Sequence, residues 1–460
     1  MLAKNQKHTV KITDLNNLGF GVGRIDGRVV FVSGAVDGDT AEVQIIHVAK
    51  SYAVARILSF VERSPHRESA SPCPAPACGG CAYRYVSEAH ERALKENYIR
   101  SVFAKHGIKD VALAPMLTAG ARYGYRNKAQ YPVSQDKSGA LHIGFYAPKS
   151  HRVVEAIDCP LQDARFAPLL RTLKALLEEY KISAYDEKTG EGLLRHIYLR
   201  AGNESGELLV TLVVNGRSLP QENLLAARLR DRHPDVVGVL INVNEKDTNV
   251  ICGEEYRTLS GKDYLTDTLC GVTLKITPAS FYQVNHAAAE LLYRRARELA
   301  SLTGDELLLD LYCGAGSIGL SMADAVREVI GIEIVESAVA CAKENAKQNG
   351  IENASFYTGD ATDTRRLLAR AEEKRGEPIY PDVVILDPPR KGCTEELLDY
   401  IAELAPARIV YISCNPDTLA RDAAILIQNG YEMGEVTPAD LFPCTGHVES
   451  VVCLKRQIQQ

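Results

Sequence analysis

The chain has 460 residues, 46% hydrophobic and 24% charged, which is enough for about three compact domains. Its formal net charge of −6 excludes a uniformly basic nucleic-acid binder, so any basic surface must be local. No apolar run is long enough to span a membrane and the first residues lack the apolar core of a signal peptide. The twelve cysteines therefore point to a reducing, cytoplasmic setting and to thiol or metal chemistry, in a chain expected to be monomeric.

Residues 1–62 are expected to form a small β-barrel. Thr9–Ile12, Arg28–Val32, Ala41–Ala49 and Ser51–Ile57 read as strands, with Gly19, Gly21, Gly23, Gly27, Gly34 and Gly38 as punctuation between them. Such close spacing fits an OB-like barrel, a class that commonly binds RNA or DNA, although a protein-docking barrel would read the same way. Leu18–Arg24, followed by Phe31–Val36 and Gly38-Asp39, resembles the TRAM domain, an RNA-binding barrel of RNA-modifying enzymes.

Residues 63–266 read as a central α+β domain. A Pro- and Ser-rich stretch from Pro65 to Pro76 leads into Cys73-x4-Cys78-x2-Cys81, with Gly79 and Gly80 allowing the chain to fold around a centre. Cys159, in Ile157-Asp158-Cys159-Pro160-Leu161, is the candidate fourth ligand. All-thiolate ligation suits Zn²⁺ or an iron–sulfur cluster, and spacing does not choose between them. Glu88–Lys105 reads as an amphipathic helix with Ala93, Leu94, Tyr98, Val102 and Phe103 approximating one face. From Arg122 to Arg152, basic groups alternate with Tyr123, Tyr125, Tyr131, Phe145 and Tyr146. That pattern fits phosphate contact and base stacking, or equally the aromatic core of a solvated sheet. Leu193–Leu199, Glu207–Val214 and Val237–Asn244 look like further strands of an antiparallel sheet; His196 among them is read as structural or RNA-facing.

Residues 267–460 change to a βαβα rhythm, which implies a parallel sheet covered on both faces. The strand Leu307–Leu311 runs into Gly314-x-Gly316-x-x-Gly319, a nucleotide-binding fingerprint that opens a helix. Glu333, nineteen residues beyond Gly314, stands where a carboxylate would bind ribose hydroxyls. A dinucleotide dehydrogenase would show the same signal. The later strands argue against one. Val383–Leu386 delivers Asp387-Pro388-Pro389-Arg390, Arg408–Ser413 delivers Cys414, and Phe442–Ser450 brings Glu449 into the last strand. A cofactor loop, a thiol and two acids would meet at one sheet rim.

Together these marks, with Ser280-Phe281-Tyr282-Gln283-Val284-Asn285, Ser413-Cys414-Asn415-Pro416 and His447-Val448-Glu449, resemble the RNA uracil-5-methyltransferases in the branch with a TRAM domain. The resemblance spans nearly the whole chain. It implies a Rossmann-like α/β S-adenosylmethionine methyltransferase domain, an OB-like TRAM barrel and an α+β central iron–sulfur domain. It also implies a [4Fe–4S] cluster on Cys73, Cys78, Cys81 and Cys159. Gln283, Tyr312, Glu333 and Asp387 would contact S-adenosylmethionine, with Cys414 as nucleophile and Glu449 as base.

The chemistry is coherent by itself. C5 of uracil is too weak a nucleophile to take a methyl group from a sulfonium unless a thiolate first adds to C6. A base must then remove the C5 proton so that the sulfur can leave. An N6-adenine methyltransferase usually has an aromatic residue after the Pro-Pro pair, where Arg390 stands, and the 5-cytosine enzymes use a Pro-Cys arrangement absent at Cys414. Transfer-RNA members of the family it resembles usually lack the barrel and the cluster, so the resemblance implies 23S ribosomal RNA rather than transfer RNA as the target. An RNA-binding iron–sulfur protein without turnover is the reading from a different class.

Overall fold

The computed structural model describes residues 2–68 and 71–457. Its N-terminal strands close a barrel in the order Lys7–Leu15, Phe20–Ile25, Arg28–Ser33, Tyr52–Glu62 and Thr40–Val48, the last pairing back to the first. Val10, Ile12, Val30, Val32, Val43 and Ile45 fill it from alternate positions. Phe20–Ile25 was expected to be punctuation and is a strand instead. Its glycines serve packing: a Cβ at Gly23 would lie 2.4 Å from Val10 Cγ1, and one at Gly21 2.7 Å from Ala35 Cβ. Close strand approach, not a turn, requires them.

The central region carries a seven-stranded sheet between Lys128 and Gly261. Its pairs are antiparallel except that Leu208–Val214 and Val236–Val243 run parallel, joined over the helix Glu222–Arg232. A parallel neighbour needs such a crossover, and this departs from the all-antiparallel expectation. Helix Phe166–Glu179 buries Leu169, Leu170, Leu173, Leu176 and Leu177 against the sheet. Much of the basic–aromatic segment is interior: Tyr125 and Tyr131 are buried, and Arg122 is enclosed by carboxylates. Lys137, Lys149 and Arg152 remain exposed. His196 is buried too, and burial pushes its imidazole down to about 4, so it is a neutral core residue.

Helix Glu88–Lys105 has the expected bounds but a different buried face: Glu91, Lys95, Ile99, Val102 and Phe103. Ala93 points to solvent. Two charged side chains occupy the inward stripe because they pair with each other across one turn and are completed by Asp440 and Arg122 from elsewhere in the chain, which pattern reading cannot anticipate.

The C-terminal sheet runs Ala354–Thr358, Glu328–Glu333, Leu307–Leu311, Val383–Leu386, Arg408–Ser413, Glu449–Arg456 and Tyr431–Met433, with Thr437–Ala439 beside Glu449–Arg456. The first five are mutually parallel and Glu449–Arg456 is antiparallel to Arg408–Ser413. Strand order reverses between Leu307–Leu311 and Val383–Leu386. Open sheets bind ligands at the carboxyl ends beside such a reversal. The expected helix after Gly316 is a single turn, Ser317–Leu320. Among the described residues no helix is long and apolar enough to cross a membrane.

Candidate active site

The reversal point opens into a cavity of about 610 Å³. Gln283, Tyr312, Gly314, Glu333, Asp387, Cys414 and Glu449 all stand on its wall. The sequence had singled out each of these seven, and they arrive from six separate segments. Arg390, Phe281, Phe442, His447 and Asp360 line it too, and no role had been given to them. Asp360 was legible, because it follows the parallel strand Ala354–Thr358 and parallel strands end at one rim.

The cofactor side is built by glycine and carboxylates. Gly319 N donates to Asp310 Oδ2 at 2.9 Å, and a Cβ at Gly319 would lie 2.8 Å from that oxygen. Only glycine permits this approach. Asp310 is fully enclosed, its Oδ1 has no hydrogen-bond partner, and burial pushes its carboxyl up to about 7. Glu333 reaches back over the loop: Oε2 accepts from Gly314 N at 3.1 Å and Oε1 from Val335 N at 2.9 Å. Tyr312 holds a left-handed φ of 65°, a conformation that costs a non-glycine residue on the order of 1–3 kcal/mol and concentrates at functional sites. The backbone of Gln283 is held by Asn127, the residue before the central strand Lys128–Gln135, whose Nδ2 donates to the Gln283 carbonyl at 3.0 Å.

The reactive side joins three loops. Cys414 ends the strand Arg408–Ser413, and Asn415 caps the helix Pro416–Gln428 by accepting from Asp417 N at 3.2 Å. The same Asn415 donates Nδ2 to Arg390 O at 2.9 Å, locking the thiol loop to the Asp387–Gly392 loop. Glu449 is buried at the start of the antiparallel strand. Burial, then the neighbouring Asp387 carboxyl, push Glu449 up to about 8, against the pull of Arg390. Burial pushes Asp387 up to about 7. Burial together with Glu449 and Asp387 pushes the Cys414 thiol up to about 11, with Arg390 and a backbone hydrogen bond working the other way. A cysteine at a strand end beside loop N–H groups is ordinarily favoured as the thiolate. In the free protein enclosure and two acids outweigh the loop's N–H groups, so the resting group is the thiol.

Other modules grip the loop that carries Glu449. Tyr83 N donates to Cys444 O at 2.9 Å, Tyr125 Oη to Pro443 O at 3.0 Å, and Lys95 Nζ to Phe442 O at 3.2 Å. A Cβ at Gly446 would lie 1.9 Å from the carbonyl of Asn17, so the barrel rests directly on this loop. Cys444, with φ 66°, also faces a second cavity of about 310 Å³. Cys73, Cys78, Cys81 and Cys159 line that cavity, which brings the expected fourth cysteine to the other three. Burial, then the thiols of Cys444, Cys159 and Cys73, push Cys81 up to about 12. The nearness of Cys444 had no signal in the cysteine spacing.

Residues 88–457 match the sequence model of the tRNA (Uracil-5-)-methyltransferase family, and residues 3–58 match that of the TRAM domain. The chain belongs to the uracil-5-methyltransferase family. Family relatives match it from end to end. An uncharacterized RNA methyltransferase of Halalkalibacterium halodurans is 39% identical over 454 residues, 98% of this chain and 97% of its own. Another, from Gloeobacter violaceus, is 40% identical over 459 residues, 99% of this chain and 98% of its own. Among solved structures, Pyrococcus abyssi tRNA (uracil-54, C5)-methyltransferase, in complex with S-adenosyl-L-homocysteine, superposes with a TM-score of 0.78 at 27% identity. That match covers 97% of this chain and 99% of the archaeal one. As a member of this uracil-5-methyltransferase family, the protein is an S-adenosylmethionine-dependent RNA methyltransferase with an N-terminal TRAM domain.

Proposed function

We propose that the protein methylates C5 of a uridine through a covalent bond between Cys414 and C6 of the base. The observation that carries this reading is the convergence of Cys414, Glu449 and Asp387 on one cavity with the Gly314 loop. S-adenosylmethionine supplies the methyl group. Gln283, Tyr312, Gly314, Glu333 and Asp387 hold and orient it. Cys414 passes its proton to solvent as its sulfur adds to C6, which turns C5 into an enolate carbon that takes the methyl group and leaves S-adenosyl-L-homocysteine behind. Glu449 then removes the C5 proton, and the electrons of that C–H bond re-form the C5–C6 double bond as the sulfur leaves. A group titrating near 8 is well matched to both holding and releasing a proton near neutrality. The target base must be unpaired or flipped to enter the cavity.

In this reading residues 1–62 and 63–266 hold the RNA while 267–460 perform the transfer. The favoured RNA from sequence is 23S ribosomal RNA. A second reading, transfer RNA, is favoured by the archaeal tRNA enzyme: too little of the chain lies outside that match for the barrel to be missing from it. A barrel is therefore compatible with either target. Incubation of both RNA pools with labelled S-adenosylmethionine, followed by mass mapping, decides. Methyl transfer to C5 of one uridine supports the proposal, and binding without transfer contradicts it.

The four cysteines also fit the [4Fe–4S] cluster that the resemblance implies. Gly80 N donates to Cys78 Sγ at 3.4 Å and Gln162 Nε2 to Cys159 Sγ at 4.0 Å, the kind of N–H···S contact that stabilises cluster thiolates. Arg84 Nε and Gln162 Oε1, both buried on residues of this cavity, have no partner within the protein. Cys73, Cys78, Cys81 and Cys159 would hold the cluster, whose contribution is to cross-link the segment 73–81 to Cys159. Iron content after anaerobic purification, compared with a Cys159→Ala variant, tests this: about four iron atoms per chain are expected in the parent and loss in the variant.

A further inference from the structure

We propose that Asp37, His66 and His90 form a binding site for a first-row divalent transition-metal ion, with Zn²⁺ as the reference ion. Among the described residues these three offer ligand atoms that all lie within 4.8 Å of one another. They come from three places in the fold: a barrel turn, the connection after the barrel, and the first turn of helix Glu88–Lys105. His90 Nε2 lies 2.8 Å from each oxygen of Asp37. The His66 ring stacks on His90, with centroids 3.9 Å apart and planes 8° from parallel.

The backbone around these side chains is fixed before any ion arrives. Asp39 accepts from Val36 N at 2.7 Å and from Ser64 N at 2.9 Å, and it pairs with Arg67 at 2.7 Å. One buried carboxylate thus ties the turn bearing Asp37 to the segment bearing His66. That segment is stitched to the helix start by Ser87 N to His66 O and Glu68 N to Tyr85 O, each 2.8 Å. Rigid support of this kind is what a metal site requires of its surroundings.

The chemistry favours a cation over a bare histidine pair. A neutral His90 can donate Nε2–H to Asp37, but the stacked His66 then adds a ring-nitrogen lone pair to the same small volume, where all three groups can act as ligands. A dication satisfies all three. Tetrahedral ligation at about 2.0–2.1 Å places ligand atoms about 3.3 Å apart. The Asp37–His90 pair is already closer than that, and exposed His66 must turn out of the stack to aim a ring nitrogen at the shared ion. Solvent supplies the remaining position. None of the three residues lines the catalytic cavity or the thiol cavity, so the site stands independently of both. Its ion would pin the RNA-binding barrel to the helix that grips the Glu449 loop.

Titration of the full-length protein with Co²⁺ and then Zn²⁺ tests the site. The expected result is a non-thiolate Co²⁺ d–d component in the difference spectrum between parent and variant, displaced by Zn²⁺, with binding of that component at least tenfold weaker in both His66→Ala and Asp37→Asn. The exposed position of His66 keeps that variant folded, which circular dichroism verifies. A spectrum showing only thiolate ligation, no binding up to millimolar ion, or equal affinity in parent and both variants would overturn the proposal.

Discussion

Lys95 Nζ lies 2.8 Å from Asp440 Oδ1, joining a helix of the central region to the segment that leads into Glu449, 345 positions later. Glu91 Oε1 is 2.7 Å from the same nitrogen, and both carboxylates and the ammonium are buried. Arg122 continues the chain of charge, pairing with Glu91 at 3.3 Å and donating Nε to Cys444 Sγ at 3.2 Å. Each partner is already stripped of water, so removing one leaves the others uncompensated.

Lys95→Met should therefore destabilise the protein by about 3–5 kcal/mol in urea unfolding. Lys246→Met, which breaks an exposed pair with Glu254, should cost below about 1 kcal/mol. Equal effects would show that the buried network carries no special weight.

Gly319→Ala should weaken S-adenosyl-L-homocysteine binding at least tenfold. Its Cβ would press on Asp310 Oδ2 at 2.8 Å and Val329 Cγ1 at 2.9 Å, displacing the loop that bears Gly314. Overpacking of this kind typically costs about 1–3 kcal/mol. Calorimetric titration measures the affinity, and an unchanged value would separate the loop from cofactor binding.

Stability should also report the buried acids. Asp310, Asp387 and Glu449 have folded pKa values of about 7, 7 and 8, raised above their unfolded range. A raised carboxyl stabilises the fold fully below its unfolded pKa, near 4, and that contribution is lost as pH rises through the folded value. The thermal midpoint of the ligand-free protein should fall between about pH 5 and pH 9. Asp387→Asn should flatten this decline, and an unaltered slope would show that Asp387 does not contribute to it.

Much of this site was legible because its chemistry sits where parallel strands end. Asp387, Cys414 and Glu333 could be placed from strand patterns and loop breakers alone, since period and turn chemistry are local. The Gly21 and Gly23 strand was not, because glycine's demand for close approach is set by Val10 and Ala35 across the barrel. Nor were the inward-facing Glu91 and Lys95, whose partners Asp440 and Arg122 lie far along the chain. The protonation state of Cys414 was not legible for the same reason: its local setting favours ionisation, while acids from two other strands oppose it. Long-range electrostatics leave no periodic trace.

The pH dependence of turnover should show Glu449 directly. As a base it must be ionised, so kcat/KM should rise with pH along a limb near pH 8 set by that carboxyl in the free enzyme. A flat profile from about pH 6 to pH 9 would assign proton removal to another group.

The most direct measurement is mass spectrometry of the Glu449→Gln variant after incubation with substrate RNA and S-adenosylmethionine under denaturing work-up. The account predicts a methylated nucleotide attached to the peptide containing Cys414, and no adduct or turnover from Cys414→Ala. Methylated RNA released by Cys414→Ala at the parent's rate would contradict it.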